Sequence, residues 1–215
     1  MDGIVVQFFQ YVSEAWIEIA RLTGQHLFLA VSGAMIGIFT AVPLGIFISR
    51  RPKISAYVID IAGMLYTIPS LAMLGFLLPF LGLGWMPAII ALVIYSWLPV
   101  LRNTCAGLAT VDPAVKEAAL GMGATQSQLL LKIELPLALP VIMASVRTVA
   151  VLTVGVATLG ALVGAGGLGE LIFTGISMMD NNMLIAGTIP VAAMAVLFDQ
   201  SLGYMERRLQ VKFGS

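Results

Sequence analysis

Five stretches of this chain run far enough with almost no charge to cross a lipid bilayer, and that pattern leaves few folds open. They extend from about His26 to Ile48, Ser55 to Leu78, Met86 to Leu101, Pro140 to Leu162 and Met183 to Tyr204, and none holds more than one charged residue. A hydrocarbon layer about 30 Å thick takes about 20 residues of α-helix to cross. Inside it, only helices and closed barrels satisfy their own backbone hydrogen bonds. Only 10% of the residues are charged and the mean hydropathy is +1.01, whereas a water-soluble domain carries about 25% charge. The expected fold class is therefore all-α: a polytopic membrane protein with five transmembrane helices, preceded by an N-terminal interfacial helix.

That first helix is read over residues 4–22. Val5, Phe8, Phe9, Val12, Trp16, Ile19 and Ala20 recur at helical spacing, and Gln7, Gln10, Glu14, Glu18 and Arg21 take the other side. Such a stripe suits a helix lying in the bilayer interface or against a partner helix. Residues 1–24 are thus set apart as an amphipathic segment, and 25–215 as the transmembrane domain. Asp2 stands where a signal peptide would be basic, so insertion is expected from the internal spans.

Zero net charge gives no footprint for nucleic acid. Cys105 is the sole cysteine, so neither an internal disulfide nor a Cys/His metal site is expected. Basic residues set the orientation. Arg50, Arg51 and Lys53 follow the first span, Arg102, Lys116 and Lys132 lie between the third and fourth, and Arg207, Arg208 and Lys212 follow the fifth. All fall on the cytoplasmic side if the N-terminus is outside.

Asp60, Arg147 and Asp199 lie within spans, where an ionisable side chain must face protein or water. Their similar depth predicts that Arg147 pairs with Asp60, Asp199 or both, as a brace or gate. Pro43, Pro69, Pro79, Pro87, Pro99 and Pro190 punctuate the spans and are expected to bend them. Tyr66, Trp85, Tyr95 and Trp97 are candidate pathway aromatics, with Pro69 and Ser70 beside Tyr66.

The most informative segment is the loop from about Arg102 to Pro136. Asp112-Pro113 reads as a helix start, with a short helix through Lys116, Glu117, Ala118 and Ala119. Gly121-Met122-Gly123 turns the chain, and Thr125 with Gln128 makes a capping-box pattern for a second helix ending at Leu135-Pro136. Glu117-Ala118-Ala119, three residues, Gly123, nine residues, Ile133, one residue, then Leu135-Pro136 resembles the EAA loop of ABC importer permeases.

The resemblance implies a coupling helix that docks in a cleft on an ATPase subunit. It makes Glu117, Ala118, Ala119, Gly123, Ile133, Leu135 and Pro136 the candidate coupling residues. No G-x-x-x-x-G-K-[ST] phosphate loop occurs in the chain. ATP and Mg are thus expected in partner ATPase subunits, and no cofactor or catalytic residue in this chain. The other implied partners are a second permease chain, identical or related, an extracytoplasmic solute-binding protein and membrane lipid. The implied location is a bacterial-type cytoplasmic membrane.

A narrower resemblance runs from about His26 to Asp199. Tyr66 to Ala72, Pro87 to Leu92, Leu98 to Thr104, Glu134 to Ala144 and Gly164 to Gly169 are similar to blocks in permeases for glycine betaine, carnitine and choline. Some of that group carry a binding domain fused after the last span. This chain ends soon after Lys212, so a separate binding protein is expected. Methionine or ergothioneine is the alternative cargo, and an ATP-independent carrier or channel the alternative class. Gly164, Gly166 and Gly169 fit G-x-G-x-x-G, but no strand precedes them, so a tight turn is expected rather than a dinucleotide site.

Overall fold

A computed structural model describes residues 2–213, with side chains from residue 6 onward. Met1, Gly214, Ser215 and the Val5 side chain of the amphipathic stripe lie outside that description. The elements are α1 (Asp2–Ser49), α2 (Pro52–Thr67), α3 (Ser70–Leu81), α4 (Trp85–Ala109), α5 (Pro113–Gly121) and α6 (Gln126–Leu129). A π turn (Leu130–Glu134) then leads into α7 (Leu135–Ala157), which tightens to a 3-10 segment (Thr158–Val163). Next come α8 (Gly169–Met178) and α9 (Asn181–Phe213).

Among the described residues, four unbroken helical runs are long and apolar enough to span: Val6–Ser49, Trp85–Ala109, Gln126–Val163 and Asn181–Phe213. The fifth is the pair α2 and α3, bent by 96°. The bend sits at Ile68-Pro69. A residue before proline is pushed out of the helical region, and Ile68 has ψ 128°. The other prolines lie inside helices.

Two boundaries differ from the sequence reading. No break separates an N-terminal helix from the first span, because α1 is continuous through Gly24. A lone interior glycine costs a helix only about 1 kcal/mol relative to alanine, too little to end it. The second loop helix does not stop at Leu135-Pro136 either. In the π turn the Leu135 N–H bonds to Leu130 O, and the chain continues through Pro136 into α7 without a break. The short helix α8 was not foreseen.

Helix α4 is the centre of the bundle, packed against α1, α2, α3 and α7, and α9 packs on α7, α8 and α1. Leu92, Val100, Leu101 and Val149 are buried there. On α1, small residues recur every fourth position, Gly33, Gly37, Ala41 and Gly45, facing the α4 row Leu92, Ser96 and Thr104. A Cβ added at Gly33, Gly37 or Gly45 would lie 2.5, 2.4 or 2.8 Å from the Cβ of Leu92, Ser96 or Thr104. Close approach through small residues is how helices associate in lipid, where no hydrophobic drive separates them from solvent. Exposed Phe28, Phe39 and Phe47 on α1, and Phe76 and Phe80 on α3, present apolar faces outward.

Candidate coupling surface and intramembrane charge cluster

Helix α5 begins where Asp112 Oδ1 accepts the Ala114 N–H at 2.8 Å, with Pro113 at its first position. It ends in a Schellman motif: Gly123 N–H bonds to Leu120 O at 2.9 Å and Ala124 N–H to Ala119 O at 3.0 Å. That closure requires a left-handed residue, and Gly123 has φ 87°. Thr125 and Gln128 then form the capping box, Gln128 N–H to Thr125 Oγ1 at 3.2 Å and Thr125 N–H to Gln128 Oε1 at 2.9 Å. Ala119 is buried, whereas Glu117, Ala118 and Met122 are exposed. Ala119, Met122, Gly123, Gln128, Lys132 and Ile133 border a shallow cavity of about 290 Å³. Leu135 and Pro136 stand apart from it, at the start of α7.

Within the spans, Arg147 on α7 grips Asp199 on α9 with two bonds, Nε to Oδ1 at 2.7 Å and Nη2 to Oδ2 at 2.9 Å. Its remaining nitrogen, Nη1, donates to Glu206 Oε2 at 3.2 Å. The fork shape of the guanidinium suits such paired contacts. Gly203 makes room for it, since a Cβ there would lie 3.0 Å from Arg147 Cζ. Asp60 is outside the cluster: it is exposed and makes no ion pair among the described residues. Similar depth was not enough, because α2 packs on α4 and α1 rather than on α7 or α9. Glu206 was missed, though its spacing was informative: it follows Asp199 by seven residues, two helical turns on one face. The cluster borders a cavity of about 730 Å³, also lined by Thr148, Val151 and Gly155.

The proline break is stitched by Tyr95, whose hydroxyl donates to Ile68 O at 2.5 Å. Tyr66 meets Tyr95 edge to face with ring centroids 5.9 Å apart. Tyr66, Pro69, Ser70 and Tyr95 thus gather at one place, with Tyr95 buried and Tyr66 exposed. Trp97 points elsewhere, donating from Nε1 to Thr40 Oγ1 on α1 at 3.0 Å. Trp85 packs edge to face on Phe28, 6.4 Å between centroids.

At the opposite end of α7, Thr158 N–H turns to Gly155 O as the helix tightens. The fully buried His26 stands 3.0 Å from Val154 O through Nε2, placed to donate to the carbonyl this tightening frees. The glycine run after it is a turn: Gly167 N–H donates to Gln25 Oε1 at 3.2 Å. A Cβ on Gly169 would come within 2.0 Å of Thr158 O, leaving no space there for a phosphate. A second unforeseen group is Glu134, buried between Arg50 and Lys116.

A carnitine transport permease protein, OpuCB of Listeria monocytogenes, is 45% identical over 99% of this chain and 95% of its own length. The glycine betaine/carnitine/choline transport system permease protein OpuCB of Bacillus subtilis (strain 168) is 40% identical over 91% of this chain and 90% of its own. Among solved structures, an inward-facing conformation of the MetNI methionine ABC transporter matches with a TM-score of 0.81 at 22% identity, covering 89% of this chain and 95% of that one. Residues 33–211 match the model of the binding-protein-dependent transport system inner membrane component, and the chain belongs to that family of multi-pass ABC importer permeases.

Proposed function

We propose that this chain is the membrane permease of an ABC importer for quaternary ammonium osmoprotectants such as glycine betaine, carnitine or choline. The observation that carries the substrate class is the 45% identity, along almost the whole chain, to a permease named for carnitine. The likeness to the methionine transporter is one of fold and does not bear on cargo.

In this reading two permease chains enclose one pathway, and a loaded binding protein docks outside. ATP and Mg act in partner ATPase subunits. Helix α5, with exposed Glu117, Ala118 and Met122 beside the cavity at Gly123, seats in the ATPase cleft. The N-terminus lies outside and the C-terminus in the cytoplasm. Arg50 and Lys116 meet at Glu134, so two basic segments share one end of the bundle, as the orientation rule requires. The Arg147–Asp199–Glu206 cluster braces α7 against α9. Exposed Tyr66 offers a π face to a passing ammonium group.

The test is ATP-dependent uptake into proteoliposomes holding the chain with its ATPase and binding protein. Labelled glycine betaine, carnitine and choline would be compared with methionine and ergothioneine. Uptake of a quaternary ammonium solute is expected. ATP-driven uptake of only another solute would discard the substrate class, and ATP-independent uptake would discard the mechanism.

A further inference from the structure

Glu134 is 4% exposed, in the stretch that joins the α5–α6 loop to a membrane helix. It extends the buried face of α7, four residues before Ala138 and eight before Ile142. Leu129 is also buried, and five residues of ordinary α-helix would turn Glu134 about 140° away from it. The wider turn brings Leu129 toward that same face.

Two other segments meet Glu134, and a third joins them through Lys116. Arg50, just beyond α1, donates from Nη2 to its Oε2. Lys116 of α5 lies 3.3 Å from its Oε1. The same Lys116 ammonium donates to Leu108 O at 3.2 Å, one of the last four carbonyls of α4, which have no partner within their helix. Helix α5 packs chiefly on α6 and has little backbone packing against the membrane helices. Lys116 is therefore its polar tie to the bundle.

We propose that Glu134 is the pivot of coupling, a positioning residue that passes displacement of α5 to α1, α4 and α7 through Lys116 and Arg50. It makes no contact with the ATPase. The proposal rests on the reading that α5 docks there. Rigid transmission needs a linkage stiff in both directions. A buried carboxylate held by two cations resists both lengthening and sliding.

The experiment uses the assembled importer in proteoliposomes and reads solute imported per ATP hydrolysed. Glu134→Gln tests the pivot directly but could compromise folding. Lys116→Met cuts only the α5 tie and leaves the Arg50–Glu134 pair in place. With Lys116→Met the complex is expected to assemble and the transport ratio to fall at least about fivefold. Lys116→Arg should restore most of it. Combining Lys116→Met with Glu134→Gln should be no worse than the more impaired single variant, as for residues acting through one contact.

A wild-type ratio in Lys116→Met would overturn the proposal. So would uptake and hydrolysis falling in proportion, which would make the group a brace only. Gly123→Trp, measured alongside, separates the two readings. It should insert and yet lose coupling or assembly. If it keeps the wild-type ratio, the docking assignment fails and the pivot with it. If it loses coupling while Lys116→Met does not, the pivot alone is wrong.

Discussion

Replacing Gly37 with alanine should loosen the α1–α4 contact, and the same substitution at Gly24 should not. Both glycines lie inside α1, so both changes gain about 1 kcal/mol of helix propensity, and that gain cancels in the comparison. What remains is packing. At Gly24 an added Cβ meets nothing within 4 Å, whereas at Gly37 it would lie 2.4 Å from Ser96 Cβ and 2.9 Å from its Oγ. Carbon atoms settle at about 3.5–4.0 Å, so the helices must part locally by about 1 Å. Ser96 cannot simply rotate away: its Cβ is fixed by the α4 backbone, and its Oγ already bonds Leu92 O at 2.7 Å.

Forced insertion of a methyl group into a filled interface costs about 1–3 kcal/mol. At about 2–4 °C per kcal/mol for a domain of this size, Gly37→Ala should melt about 2–12 °C below Gly24→Ala. Cys105 supplies the assay. It is the sole cysteine, half-buried at this interface with its Sγ 3.5 Å from Gly45 O. Labelling by a thiol-reactive dye during heating in detergent reports when α1 and α4 separate. Equal melting points for the two variants would refute the reasoning, since sterics could not then be what Gly37 provides.

Two further outcomes follow from the polar contacts. Arg147→Met leaves Asp199 and Glu206 facing each other without their cation, and should lower the melting temperature of the assembled complex and its transport. Asp60→Asn should change neither, and a double-mutant cycle should find coupling between 147 and 199 but none between 147 and 60. Tyr95→Phe strands the Ile68 carbonyl at the α2–α3 bend, at a cost of about 1–3 kcal/mol. Thermal melting read by Cys105 labelling checks it, and an unchanged melting point would show that another donor serves that carbonyl.

The spans and the cap chemistry were legible in the sequence because they are local. Hydropathy over a window needs no knowledge of neighbours, and Asp112-Pro113 and Thr125 to Gln128 state their caps within four residues. The Pro69 break was visible, but its 96° bend depends on how α3 packs on α4. Asp60 and Asp199 look alike at the level of one helix, and only the adjacency of α7 and α9 separates them. Glu134 escaped notice because the loop helix reads as ending at Leu135-Pro136; only the continuation into α7 puts Glu134 on the same face as buried Ala138 and Ile142. His26 read as the start of a span, since the carbonyl it serves lies 128 residues away.

The run from Gln126 to Val163 has a mechanical consequence. Its 38 residues form one continuous rod, about 57 Å long at 1.5 Å per residue, nearly twice the thickness of the hydrocarbon it crosses. A rod that overhangs its support works as a lever. Tilting it as one body by about 5° about its middle moves each tip by about 2.5 Å, half the height of one helical turn. A displacement imposed at the loop end is therefore returned in the opposite direction at Val163, on the other side of the membrane.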